Sequence, residues 1–304
     1  MEPIERWLSR YEGKESQDRH RRALIRFESV VGMTAIELLK LGRQRVQDGQ
    51  APEEVEDALA KYHSFLLGKG LAPTSAAQWY SVERGFFTAN YLRLGKTPRH
   101  IVASGAAYES SRVLTQKQVR GMVKSLSSPR DKLVVAFPAQ TGQRLGVITA
   151  IKHDMIRKVE RHGLVEVPPT LTNPQGDNVN KAEVRYKFVI GPDAMRLIKS
   201  LTSDTGWLVD LSERQIGRIV HRAAENTGIQ ERTETKLGRS WHLVHPHVFR
   251  KYWKRQMKLG GIKDPEILNF MMGHKLPYGG AYDPFPDEDL LKAYKQAERK
   301  LRLL

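Results

Sequence analysis

At 304 residues, with 40% apolar and 28% charged content, the chain is sized for one or two compact cores. It contains no cysteine, which removes disulfide scaffolds, Cys-based zinc sites and thiol catalysis from consideration. A formal net charge of +16 points to a polyanionic partner, nucleic acid ahead of an anionic membrane.

The positive excess lies in one part of the chain: residues 1–111 carry 16 Lys+Arg against 14 Asp+Glu, and residues 112–304 carry 34 against 20. The N-terminus from Met1 to Arg6 lacks a basic segment followed by an apolar core. No stretch approaches the roughly 18 apolar residues that span a bilayer, so a cytoplasmic protein with no membrane partner is expected.

From about Ser16 to Leu94 apolar residues recur at helical spacing, as in Leu24, Phe27 and Val31 and again in Leu59, Tyr62, Phe65 and Leu66. Loop signals from Gly49 to Pro52 interrupt them, and a small all-helical domain is predicted. Thr74 and Ser75 offer a cap for a helix through Trp79, Val82, Phe86, Phe87 and Tyr91, whose aromatic residues are expected in the core. The pattern fades between Gly95 and Arg112, placing an interdomain linker and a boundary near residue 110. Thr115 then caps a helix whose apolar face carries Val119, Met122, Val123 and Leu126.

After Ile156 two extended segments are expected, Leu164–Val167 and Val184–Ile190, the second with period-two alternation. They imply a small antiparallel sheet in a mostly helical domain, with the turn formers of Thr172–Lys181 between them. Helices are predicted over Pro192–Leu201, Glu213–Thr227, Pro246–Leu259, Asp264–Met272 and Asp287–Leu303.

The sequence has no phosphate-binding Gly-rich loop with Lys-Ser/Thr, no H-E-x-x-H and no G-x-S-x-G. His242, His245 and His247 cluster, but their spacing mixes helix and loop geometry with no acidic neighbour, so no metal is expected there. Three stretches remain that present cations or proton donors. In Thr141-Gly142-Gln143-Arg144 a glycine turns the chain and delivers an Arg fork that matches two non-bridging phosphate oxygens. In His247-Val248-Phe249-Arg250 an imidazole and a guanidinium stand three apart on one helical face. Met272-Gly273-His274 ends a short helix, and Tyr278 and Tyr282 follow in a Gly/Pro-rich loop, where a tyrosine near cations can attack phosphorus.

The order Thr-Gly-x-Arg, His-x-x-Arg, Gly-His, Tyr resembles that of the tyrosine recombinase (phage integrase) family. Residues 111–304 are similar to its catalytic domain, and Phe65–Thr74 is similar, less specifically, to its helical core-binding domain. The tail from Tyr282 through Asp289–Tyr294 is similar to integrases of archaeal type.

The resemblance implies a mainly α fold with a small antiparallel sheet, in which residues 1–110 and 111–304 close as a two-domain clamp on duplex DNA. It also implies site-specific strand cleavage and rejoining, without cofactor or metal, by a homotetramer on two duplexes. The implied roles are phosphate binding by Arg144 and Arg250, hydrogen bonding or proton handling by His247 and His274, and nucleophilic attack by Tyr282. The general acid would be Lys181, with Lys187 as the fallback; Tyr278 stands too near the helix end, and Tyr294 falls on an apolar helical face. Val147 occupies the position, three after the first arginine, where the family carries an acid. The nearest rivals are a type IB topoisomerase, a telomere resolvase, and a catalytically silent DNA-binding protein of the same fold. The last helix could dock on its own domain or on a neighbouring protomer.

Overall fold

The computed structural model describes residues 1–11, 13–98, 101, 113–201, 206–230, 232–234, 240–276 and 285–304. The chain divides into two compact units, Met1–Glu109 with Glu234–Trp241, and Ser110–Thr233 with His242–Leu304.

The first unit is built from α1 (Pro3–Leu8), α2 (Lys14–Val31), α3 (Ala35–Gln47), α4 (Glu53–Gly68) and α5 (Pro73–Ala89). Thr34 and Glu37 form a reciprocal capping box that starts α3 by satisfying two orphan backbone donors. The core is aromatic, with Trp7 edge-on to Phe86 at 5.7 Å and Phe27 edge-on to Tyr62 at 5.4 Å.

Three details depart from the sequence reading. Helix α1 precedes the expected start, and its Trp7 is fully buried. Pro73 opens α5 after Ala72, with no Ser or Thr cap, because proline's fixed φ suits the first helical position. Tyr91 lies beyond the end of α5 at φ 63 and is 78% exposed, so it is not a core residue.

The second unit holds α6 (Gln116–Lys124), α7 (Pro129–Thr141), α8 (Leu145–Ala150), a three-stranded sheet and five further helices. Thr115 caps α6 as expected, in a box with Gln118. Helix α7 is buried on every side from Leu133 to Thr141. It therefore has no polar face and no 3.6-residue pattern, and sequence periodicity does not reveal it.

The sheet runs β1 (Ile156–Val159), β2 (His162–Val167), β3 (Tyr186–Ile190), antiparallel throughout, with Val165 opposite Phe188. Strand β1 escapes the sequence reading because its two central residues, Arg157 and Lys158, are both exposed and give no alternation. After the sheet come α9 (Pro192–Lys199), α10 (Glu213–Asn226), a two-stranded ribbon of β4 (Arg232–Glu234) and β5 (Ser240–His242), α11 (Val248–Leu259), α12 (Pro265–Met271) and α13 (Asp287–Leu301). Phe137 of α7, Phe188 of β3, Trp253 of α11 and Tyr294 of α13 meet in one core. Among the described residues, no helix is long and apolar enough to cross a membrane.

Candidate active site

Helix α7 ends where Gly142 adopts φ +68, and a Cβ there would stand 2.7 Å from the Trp253 ring. Glycine is thus required twice, by its left-handed backbone and by the close approach of α11. The turn places Arg144 at the N-cap of α8, half-buried.

Helix α12 closes in a Schellman motif, with Gly273 N–H donating to Phe270 O at 2.8 Å and His274 N–H to Asn269 O at 3.0 Å. Gly273 holds φ +67, and a Cβ on it would come within 2.7 Å of the Tyr186 ring. His247 is the cap residue of α11 rather than part of it, but its αR backbone continues the helical turn, and Arg250 N–H donates to its carbonyl at 3.2 Å.

These three turns converge through their cations. Arg250, only 3% exposed, donates from Nη1 to Gly142 O at 2.8 Å. Its Nη2 donates to Met272 O at 3.1 Å and to His274 Nε2 at 2.9 Å. Arg144 donates from Nη1 to Gly273 O at 3.3 Å. Among the described residues, every hydrogen-bond partner of the two guanidiniums is a neutral carbonyl or imidazole. Position 147 supplies no charge either, since Val147 is buried in the core.

Two guanidiniums held close together without a carboxylate form a site that an anion completes. Burial and then Arg144 push the Arg250 guanidinium down to about 10. Burial, then Arg250, Arg144 and Lys254 push His274 down to about 4. Since Arg250 can only donate, His274 receives at Nε2, and its neutral ring carries the proton on Nδ1. His247 is lowered by burial, then by Arg250, His245, Lys251 and Arg144, and its ring lies parallel to that of His245 at 6.4 Å.

Below the cations sit two buried polar residues that the sequence reading did not select. Gln143 donates from Nε2 to Met271 O at 2.7 Å and accepts at Oε1 from the Tyr186 hydroxyl at 2.9 Å. The alternation of β3 put Tyr186 on the buried side, but nothing local linked it to Gln143, which is 43 residues earlier.

The two lysine candidates have different settings. Lys181 is exposed in the turn before β3, its N–H donating to Val179 O at 3.1 Å. Lys187, on β3, is largely buried and ion-paired with Asp287 at the start of α13 at 3.3 Å. Tyr294 is packed, as its helical position implied, and donates to Gln140 O at 2.9 Å. Tyr278 and Tyr282 lie outside the described residues. His242 stacks on His221 at 3.8 Å, and among the described residues no group of three or more His, Cys, Asp or Glu could hold a metal ion.

No family model matches the chain, and no curated protein matches it. Solved structures do. The Tn1549 transposon integrase in complex with a circular intermediate DNA superposes with a TM-score of 0.57 at 12% identity, over 97% of this chain and 99% of that one. The chain has the tyrosine recombinase fold. A lambda integrase dimer bound to a COC′ core site matches at TM-score 0.52 and 15% identity, over 94% and 98% of the two chains. The XerH site-specific recombinase in a post-cleavage complex with difH substrate matches at 0.54 and 11%, over 81% and 69%. On a tyrosine recombinase fold, the Arg144, Arg250 and His274 cluster lies wholly within the second unit.

Proposed function

We propose that this protein is a site-specific DNA recombinase that cuts and rejoins strands through a 3′-phosphotyrosyl intermediate, as in integration or excision of a mobile element. The observation that carries the reading is the convergence of Arg144, Arg250 and His274, whose two guanidiniums have, among the described residues, no carboxylate as a hydrogen-bond partner. A scissile phosphodiester supplies the missing charge. The guanidiniums, through the N–H groups that their carbonyl and imidazole partners leave free, bind its non-bridging oxygens and stabilise the charge that builds in the pentacoordinate transition state.

In this mechanism the Tyr282 oxygen attacks phosphorus as the bond to the 5′ oxygen breaks. The tyrosine proton passes to His247, which is kept neutral by its surroundings, while His274 donates its Nδ1–H to a phosphate oxygen. Lys181 protonates the leaving oxygen, its exposure suiting a group that must reach into bound DNA; Lys187 is the fallback, with its ion pair to Asp287 to break first. The freed 5′-hydroxyl of a partner duplex reverses the step, so the bond energy is stored and no cofactor is consumed.

Residues 1–110 would serve as the core-binding domain and residues 111–304 as the catalytic domain of a clamp. Four protomers would assemble on two duplexes. The test is a nicked duplex that traps the covalent intermediate, run with the native chain and with Tyr282→Phe. A denaturant-resistant adduct that disappears in the variant is expected. No adduct on DNA that the chain specifically binds would sink the reading.

A further inference from the structure

Both guanidiniums rely on main-chain carbonyls for orientation, and those carbonyls come from turns that have no contact with one another in sequence. Something must hold the turns in register. One side chain reaches all of them: Gln143 follows Gly142, whose carbonyl receives Arg250, and precedes Arg144 in the chain. Its Nε2 binds Met271 O, next to the Met272 and Gly273 carbonyls that receive Arg250 and Arg144. Its Oε1 is fixed by Tyr186, whose ring also packs beneath Gly273 so closely that no Cβ fits.

Gln143 is 2% exposed and Tyr186 1%, so neither contact is shared with water. The amide of Gln143 serves both partners at once. Its N–H donates to the Met271 carbonyl while its oxygen accepts from the Tyr186 hydroxyl, and the loss of either side chain leaves a buried polar atom unpaired.

On the footing of the recombinase reading above, we propose that Gln143 and Tyr186 are a buried positioning pair that sets where Arg144, Arg250 and His274 stand, the work a carboxylate at position 147 would otherwise share. Neither residue touches the reacting atoms. They act through the carbonyl cradle, tying the arginine turn, the end of α12 and strand β3 into one unit.

The test reads the site without requiring activity. The imidazole of His274 is titrated by NMR in the native chain, in Tyr186→Phe and in the near-isosteric Gln143→Met, with Tyr294→Phe as a control that deletes a different buried hydroxyl. In the native chain His274 should titrate near 4. In the two pair variants the ring becomes less buried and the guanidiniums drift from it, and the midpoint should rise by about one unit or more. In Tyr294→Phe it should stay at the native value. A native midpoint in the ordinary histidine range, or an equal midpoint in the native chain and whichever pair variant folds, would overturn the proposal.

Single-turnover cleavage of a nicked duplex, selected from a random-sequence pool for binding to the native chain, separates this from the functional reading. Tyr186→Phe should slow adduct formation about 10-fold or more while leaving DNA affinity within about 2-fold, since small displacements of positioned groups affect rate before binding. If the native chain forms no adduct, the recombinase reading fails, while the titration still decides the positioning role.

Discussion

Glu83 on α5 is fully buried, and among the described residues neither of its oxygens has a hydrogen-bond partner. Burial first, and then Glu28, against the pull of Arg26, push its carboxyl up to about 8. In the unfolded chain it has an ordinary carboxylate value, so between that value and about 8 the folded state binds the extra proton. Stability of the helical unit therefore falls as pH rises through this window, by at most about 1.4 kcal/mol per pH unit from this group. Glu83→Gln should flatten that slope and be more stable than the native chain at pH 8, as read by urea unfolding at pH 5 and pH 8. A native slope of zero would mean that the carboxyl ionises freely. Gly142 tests packing in the same way. Gly142→Ala meets both the left-handed φ and the Trp253 ring, and should cost about 2–4 kcal/mol. Gly49→Ala, at φ +70 with nothing within 4 Å, should cost only about 1 kcal/mol. Equal losses in denaturant midpoints would show that Trp253 yields without cost.

At the scale of elements, α13 decides between the two dockings left open by its apolar stripe. Leu290, Tyr294, Ala297 and Leu301 are buried against their own unit. Glu298 receives Arg161 at 2.9 Å and His162 at 2.9 Å from the sheet. Beyond the helix, Asp193 at the start of α9 accepts from Leu303 N–H at 2.6 Å, Leu304 N–H at 3.2 Å and Gln140 Nε2 at 3.1 Å. A carboxylate with three donors in a buried setting is costly to remove, because the buried Leu303 N–H is then left unpaired and Gln140 Nε2 keeps only its bond to Leu301 O. Asp193→Ala should lower stability by about 2–4 kcal/mol and raise hydrogen exchange at residues 301–304 above that of the α13 interior. Unchanged exchange would mean that the apolar contacts alone hold the segment.

For the whole molecule, charge is the property that function would use. With +16 overall and the excess in residues 112–304, binding to non-specific duplex should be salt-steep. Contact with six or more phosphates predicts a loss of about 10³-fold or more in affinity between 50 and 200 mM salt, measurable by fluorescence anisotropy. A shallow slope would contradict the use of the basic surface on DNA. Much of the architecture could be read without coordinates, because amphipathic helices such as α10 and α11, the cap at Thr115 and the alternation of β3 leave local periodic marks. Helix α7, with no polar face, and strand β1, with no alternation, leave none. The sequence by itself determined the charge, the helical class and the identity of Arg144, His247, Arg250 and His274 as candidates, since residue type and short spacing carry that chemistry. Only the tertiary structure decided that the arginines rest on carbonyls rather than carboxylates, that Gln143 and Tyr186 join beneath them, and that α13 folds back on its own unit. Those include contacts between residues 22 to 154 positions apart, and no local pattern encodes which distant partner a buried polar atom will meet.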